Sequence, residues 1–141
     1  EMTAVDASEA ALEVARENAL RHGVSVRFLQ GDWFAPVAGE RFDLILANPP
    51  YVAEGDAHLT QGDVRFEPRS ALAAGADGLD DIRRIVAGAA GHLVPDGRLY
   101  FEHGYDQAQA VEALLVESGY SAIEQRRDLA GILRVTGGSQ P

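Results

Sequence analysis

The four residues Asn48-Pro49-Pro50-Tyr51 directly follow the apolar run Phe42-Asp43-Leu44-Ile45-Leu46-Ala47. An asparagine carboxamide is a neutral donor and acceptor, and each proline contributes a carbonyl without an N–H of its own. Two such acceptors can face the two hydrogens of a planar NH2 group, and Tyr51 offers a ring for that group to stack on. A carboxylate at position 48 would add a charge that holding a neutral NH2 group does not require. The local alternative is a Pro-rich turn whose Asn hydrogen-bonds its own backbone.

Two further places could carry chemistry. Asp6 ends the run Met2 to Val5, where an α/β fold puts an acid that accepts from two ribose hydroxyls; its local alternative is a cap beside a helix. Asp32-Trp33-Phe34 follows another strand signal, so the carboxylate could accept from an exocyclic amine and the aromatic pair could cover a flat ring, or simply belong to the core. His22, His58, His92 and His103 are scattered without the spacing of a zinc site, which favours structural or surface roles and no metal. No serine sits in a G-x-S-x-G turn, and neither G-x-G-x-x-G nor a Gly-Lys-Ser/Thr phosphate loop occurs, which removes the main support for hydrolase and ordinary dehydrogenase chemistry.

Composition narrows the field. The chain has 141 residues, 46% hydrophobic and 24% charged, about one domain of ordinary globular balance. With 12 basic and 22 acidic side chains its net charge is −10, a potential that repels phosphate backbones and argues against a duplex-gripping surface. The absence of cysteine removes disulfides and thiolate metal sites and is compatible with a cytoplasmic location. No run approaches the ~20 apolar residues of a membrane span, and the start Glu1-Met2-Thr3-Ala4-Val5-Asp6 reads as the inside of a strand, not a signal peptide.

The elements that must position these residues follow from periodicity and punctuation. Ser8 caps a helix with Glu9 in its first turn, Leu12, Ala15 and Ala19 on one face, and Gly23 at its end. Val24 to Leu29 alternates as a strand, and Phe42 to Ala47 has the apolar character of a buried parallel strand, stopped by the two prolines. The stretch from Val52 to Asp80 is rich in turn-formers and long enough to suggest a substrate-side loop, with Arg65 and Glu67 near the mouth of the site. A helical stripe follows at Ile82, Ile85, Val86, Ala89 and Leu93, then a turn at Pro95-Asp96-Gly97 and a strand from Leu99 to Glu102. A third helix buries Ala108, Val111, Leu114 and Leu115 and closes at Gly119, before strands near Tyr120 to Arg127 and Ile132 to Thr136. Alternating strands and helices predict an α/β fold with a mostly parallel sheet and an antiparallel final pair. Ligands of such sheets sit beyond the carboxyl ends of the strands, where Asp6, Asp32, Asn48 and Glu102 all fall.

The quartet Asn48 to Tyr51 resembles that of the N6-adenine and N5-glutamine class of S-adenosylmethionine-dependent methyltransferases. With Gln30-Gly31-Asp32-Trp33-Phe34, Gln61 to Pro68, Glu102-His103-Gly104, and Arg127-Asp128-Leu129-Ala130-Gly131 followed by Arg134-Val135, the sequence is similar to the HemK/PrmC family over nearly its whole length. That resemblance implies a Rossmann-like class I methyltransferase fold, S-adenosyl-L-methionine as cofactor, and a cytoplasmic release factor glutamine N5-methyltransferase. It implies that Asp6 holds the cofactor ribose, that Asp32 and Trp33 contact its adenine, and that Asn48, Pro49, Pro50 and Tyr51 hold the substrate amide at the cofactor's methyl, with Asn48 shared between both. The partner it implies is a class 1 peptide chain release factor, methylated on the glutamine of its Gly-Gly-Gln loop, without direct nucleic-acid or membrane binding.

The family sheet order 3-2-1-4-5-7-6 makes the first strand here the equivalent of strand 2. The expectation is therefore a catalytic domain at 1–141 that lacks its first strand, its Gly-rich turn and the small N-terminal helical domain, and that binds cofactor weakly or not at all by itself. The ending Gly137-Gly138-Ser139-Gln140-Pro141 lacks the aromatic finish of some members. Two rivals remain at this level: an N6-adenine methyltransferase acting on nucleic acid, and a non-catalytic protein-docking module.

Overall fold

The computed structural model describes residues 1–53 and 74–140. The chain divides into two compact units, Glu1–Glu40 and Arg41–Pro141. Most of the expected substrate loop, including His58, Gln61 to Pro68, Arg65 and Glu67, lies outside the described residues.

In the first unit, β1 (Thr3–Asp6) leads into α1 (Glu9–His22) and β2 (Arg27–Gln30). The helix starts because Ser8 leaves the helical conformation and its Oγ accepts from the Ala11 N–H, while Glu9 in the first turn meets the positive end of the helix dipole. It stops at Gly23, whose φ of 64° is a left-handed cap that glycine adopts without strain. Leu12 is buried and Ala15 half-buried on the inner face. β1 and β2 pair in parallel from Thr3 opposite Arg27 to Asp6 opposite Gln30. The second strand is shorter than Val24 to Leu29 suggests: Val24 takes up the helix exit instead, its N–H donating to the Ala19 carbonyl.

In the second unit, β3 (Phe42–Ala47), α2 (Asp80–Ala89), β4 (Leu93–Glu102), α3 (Ala108–Glu117), β5 (Ser121–Arg127) and β6 (Leu133–Ser139) build a four-stranded sheet of order β3-β4-β6-β5. β3 and β4 are parallel, and β6 runs antiparallel to both its neighbours. The α/β class and the antiparallel last strand are thus as expected, and each sheet has the strand order that the resemblance implies for it. Ile82, Ile85, Val86 and Ala89 of α2, Leu99 and Phe101 of β4, and Val111 and Leu115 of α3 form the core, with at most 3% exposure each.

Four expectations need correction. Leu93 is not on the helix but opens β4, buried and paired opposite Phe42. Pro95-Asp96-Gly97 does not separate elements: the register jumps from Phe42 opposite Leu93 to Leu44 opposite Arg98, so this turn is a bulge inside β4 with Asp96 at φ 62°. β3 is less buried than its apolar run suggests, with Leu44 and Leu46 exposed by 50% and 67%, because among the described residues it is an edge strand paired only to β4. β6 continues past Thr136 through Gly137 and Gly138. A Cβ at Gly137 would overlap the Tyr100 ring and the Leu99 carbonyl of β4, so the missing side chain permits this close pairing.

Candidate active site

The carboxyl end of β3 delivers Asn48 to an open cleft of about 380 Å³, lined by Leu46, Ala47, Asn48, Tyr100, Phe101, Glu102 and Val135. Two prolines with no N–H to give the ladder end the strand, and Pro49 is buried where it turns away. Asn48 itself is exposed, and among the described residues its carboxamide has no hydrogen-bond partner. Tyr51, half-buried, donates its hydroxyl to Glu102 Oε1 at 3.0 Å, which ties the far end of the quartet to the end of the neighbouring strand. A neutral acceptor with its lone pairs open, next to carbonyls of two consecutive prolines, suits an incoming NH2 group.

The floor of the cleft is stiff. Phe101 is 1% exposed, and His103 beyond it is fully buried. His103 Nδ1 lies 2.9 Å from the Gly104 carbonyl, which can only accept, so that nitrogen carries the proton. In the neutral ring Nε2 then accepts from the Thr136 hydroxyl, 2.8 Å away on β6. Both ring nitrogens are thereby used within the fold. On the hairpin between β5 and β6, Asp128 Oδ1 accepts from the Ala130 and Ile132 N–H groups. The Ile132 N–H in first place, with Ala130 and the Arg134 guanidinium behind it, holds the Asp128 carboxyl below its usual range.

The turn at Tyr51 is also held from behind, by a residue that local sequence reasoning missed. Gln107 Nε2 donates to the Tyr51 carbonyl at 3.0 Å and to the Asp77 carbonyl at 3.2 Å, and its Oε1 accepts from the Gly104 N–H at 2.7 Å. Its one sequence signal is a glutamine at the N-cap of α3, a place that ordinarily favours short polar side chains. Asp77 in turn has its carboxyl held below the usual range, first by the Arg83 guanidinium and then by the Leu79 N–H.

In the first unit the structure brings Asp6, Asp32 and Trp33 to one end of the β1–β2 sheet. Asp6 Oδ1 accepts from the Ser8 N–H at 2.7 Å, which braces the residue that caps α1, and the Asp6 side chain is exposed. The Gly31 N–H donates to the Asp6 carbonyl, so the loop after β2 starts directly against the end of β1. A Cβ at Gly31 would overlap the Pro36 ring, and this tight fold-back places Asp32 exposed and Trp33 half-buried. Trp33 has φ 46°, uncommon for a bulky residue, and such strain concentrates at binding sites. An exposed acid at one strand end and a strained, partly open indole after the next are the groups that a nucleoside would need. The quartet with Glu102 stands in the second unit.

Comparison with known proteins gives this geometry a context. Residues 1–66 match the family model of the methyltransferase small domain. A methyltransferase structure from Pyrococcus furiosus superposes with a TM-score of 0.71 at 21% identity, covering 98% of this chain and 61% of that one. A T. thermophilus 16S rRNA methyltransferase in complex with AdoMet and guanosine does so at 0.66 and 20%, covering 100% and 32%. At these identities the likeness shows the fold, that of the Rossmann-like class I methyltransferases. The release factor glutamine methyltransferase of Bordetella pertussis is 55% identical over 139 residues, covering 98% of this chain and 52% of the relative. Those of Xylella fastidiosa and Pseudomonas aeruginosa are 51% and 50% identical, over 100% and 96% of this chain and 52% and 49% of theirs. The chain spans about half the length of the curated relatives it matches, and over that half it is 50–55% identical to these release factor glutamine methyltransferases.

Proposed function

We propose that this chain is the greater part of the catalytic domain of a cytoplasmic enzyme that methylates the side-chain amide nitrogen of the glutamine in the Gly-Gly-Gln loop of class 1 peptide chain release factors. The observation that carries the reading is the exposed Asn48 carboxamide at the cleft, on a turn whose far end Tyr51 is tied to Glu102. The names of relatives about half identical to the chain support the same substrate. S-adenosyl-L-methionine would supply an electrophilic methyl group. Asp6 would hold its ribose through the second carboxylate oxygen, and Asp32 and Trp33 its adenine.

A carboxamide nitrogen is a poor nucleophile, because its lone pair is delocalised into the carbonyl. Orientation must therefore supply most of the acceleration. Asn48 Oδ1 and the Pro49 carbonyl would accept the two amide hydrogens and fix the nitrogen in line with the methyl group, and both bonds strengthen as positive charge develops on nitrogen. The ring of Tyr51 would support the amide plane, and the family resemblance also assigns Asn48 a contact with the cofactor. Such pre-orientation is worth about 7–11 kcal/mol in favourable cases. The proton can leave to water after transfer.

The relatives are about twice as long as this chain, and among the described residues β1 and β3, like β2 and β5, each pair on one edge only, which leaves room for a further strand in the full-length protein. The deciding assay uses the full-length protein with S-adenosyl-L-methionine and offers a Gly-Gly-Gln release factor beside duplex DNA. Methyl transfer to the release factor alone is expected; transfer to DNA alone would establish the adenine alternative, and absence of cofactor binding would leave a docking module.

Asp6→Ala in that protein should raise the cofactor dissociation constant about ten- to 150-fold, the worth of a hydrogen bond to a charged group, ~1.5–3 kcal/mol. Turnover at saturating cofactor should change far less. Calorimetric titration measures this, and unchanged affinity would leave Asp6 only its bond to the Ser8 N–H.

A further inference from the structure

Gln107 stands at the N-cap of α3 and is almost fully buried, yet it makes no cap bond to its own helix. All the hydrogen-bonding capacity of its NH2 group goes to main-chain carbonyls of two other segments, Tyr51 and Asp77, and its oxygen takes the Gly104 N–H. We propose that Gln107 is a positioning residue for the amide-holding turn: it sets where the Tyr51 carbonyl lies, and through the two prolines it sets where Asn48 points into the cleft. The proposal rests on the reading of Asn48–Tyr51 as the element that holds the substrate amide.

Three features of the structure give Gln107 this role. The first is stoichiometric: one donor to each of two carbonyls and one acceptor for an N–H is a pattern that only a primary carboxamide meets among side chains of this length. A carboxylate would face two carbonyl oxygens with no hydrogen to offer, and an aliphatic chain would leave the buried Gly104 N–H and the partly buried Tyr51 and Asp77 carbonyls without these partners. The second is steric. Gly78 has φ 74°, and a Cβ there would overlap the Tyr51 carbonyl oxygen and come within 2.8 Å of Gln107 Nε2. The segment entering α2 is thus pressed against this same pair of groups, and glycine is what lets it approach. The third is the coupling. Pro49 and Pro50 have their φ angles locked, so the stretch from Tyr51 back to Asn48 has few soft torsions in which to absorb a displacement. Gly104 follows Glu102 by two residues, and Glu102 accepts from the Tyr51 hydroxyl. Gln107 therefore holds the main chain of Tyr51 while the end of β4 holds its side chain, and the ring has two fixed points.

The test uses Gln107→Glu and Gln107→Met in the full-length protein, with turnover on a Gly-Gly-Gln release factor and the NMR signals of the Asn48 side-chain NH2 group as readouts. For Gln107→Glu the expected fall in kcat is about 10²-fold, the effect of a misplacement of order 1 Å at a reacting group. KM for the release factor and cofactor affinity should stay near wild-type values, and the Asn48 signals should shift. Lowering the pH should restore part of kcat in Gln107→Glu alone, since a protonated carboxyl regains one O–H donor for a carbonyl. If that variant does not fold, Gln107→Met, of similar length and uncharged, should show the same fall in kcat and the same Asn48 shift without the pH response. Unmoved Asn48 signals in a folded variant, or wild-type kcat, would overturn the proposal. Wild-type protein that methylates no release factor would overturn the proposed function instead, and the Asn48 signals would then decide the role of Gln107 by themselves.

Discussion

Asn48→Ala in the full-length protein should lower kcat for a Gly-Gly-Gln release factor by about 10²–10³, or ~2.7–4 kcal/mol, the loss seen when one oriented acceptor or donor is removed from a transition state. The size follows from what Asn48 does not do in the free protein. Its side chain is exposed and has no hydrogen-bond partner among the described residues, so truncation breaks nothing in the fold. The stability change should stay within about 0.5 kcal/mol, as for other surface substitutions. Cofactor affinity should fall much less than turnover, because the groups assigned to the ribose and adenine are Asp6, Asp32 and Trp33. Steady-state kinetics beside calorimetry separates the two quantities. Near-normal turnover would remove Asn48 from the mechanism and return the quartet to a Pro-rich turn.

The second large effect is on stability. Phe101 sits on β4 with Leu99 on the same buried face, two residues before the buried His103, and is paired opposite Ala47 on β3 and Thr136 on β6. Phe101→Ala should cost about 3–5 kcal/mol, the transfer free energy of the ring plus the cavity it leaves. Against a total of roughly 5–15 kcal/mol for a domain, that is a large fraction. Phe101 borders the cleft next to Glu102, so collapse around the cavity should displace Glu102 and, through its bond with Tyr51, the quartet. Urea unfolding of the full-length protein measures the first effect as a lower midpoint at similar slope. A loss under about 1 kcal/mol, well short of the range for a buried aromatic, would mean that Phe101 is not part of the core.

Much of the architecture was legible in the order of residues. Ser8, Glu9 and Gly23 bound α1 through bonds and backbone angles that involve only near neighbours, and the stripe from Ile82 to Ala89 is buried as its 3.6-residue period requires. Pro49-Pro50 stops β3 because proline lacks the ladder donor wherever it stands, and the chemistry of the quartet follows from its functional groups alone. Tertiary structure decided the rest. Pro95-Asp96-Gly97 has turn residues and makes a turn, yet β4 resumes after it because pairing with β3 continues across the bulge. Leu44 and Leu46 read as core and are exposed, since burial depends on what covers a strand and not on its own composition. Gln107 is a poor cap by local rules, and its partners Tyr51 and Asp77 are 56 and 30 residues away. Capping, periodicity and strand stops are short-range and survive in any context. Register, burial and the satisfaction of a buried amide are properties of segments brought together by folding, and the sequence of one segment does not contain the other.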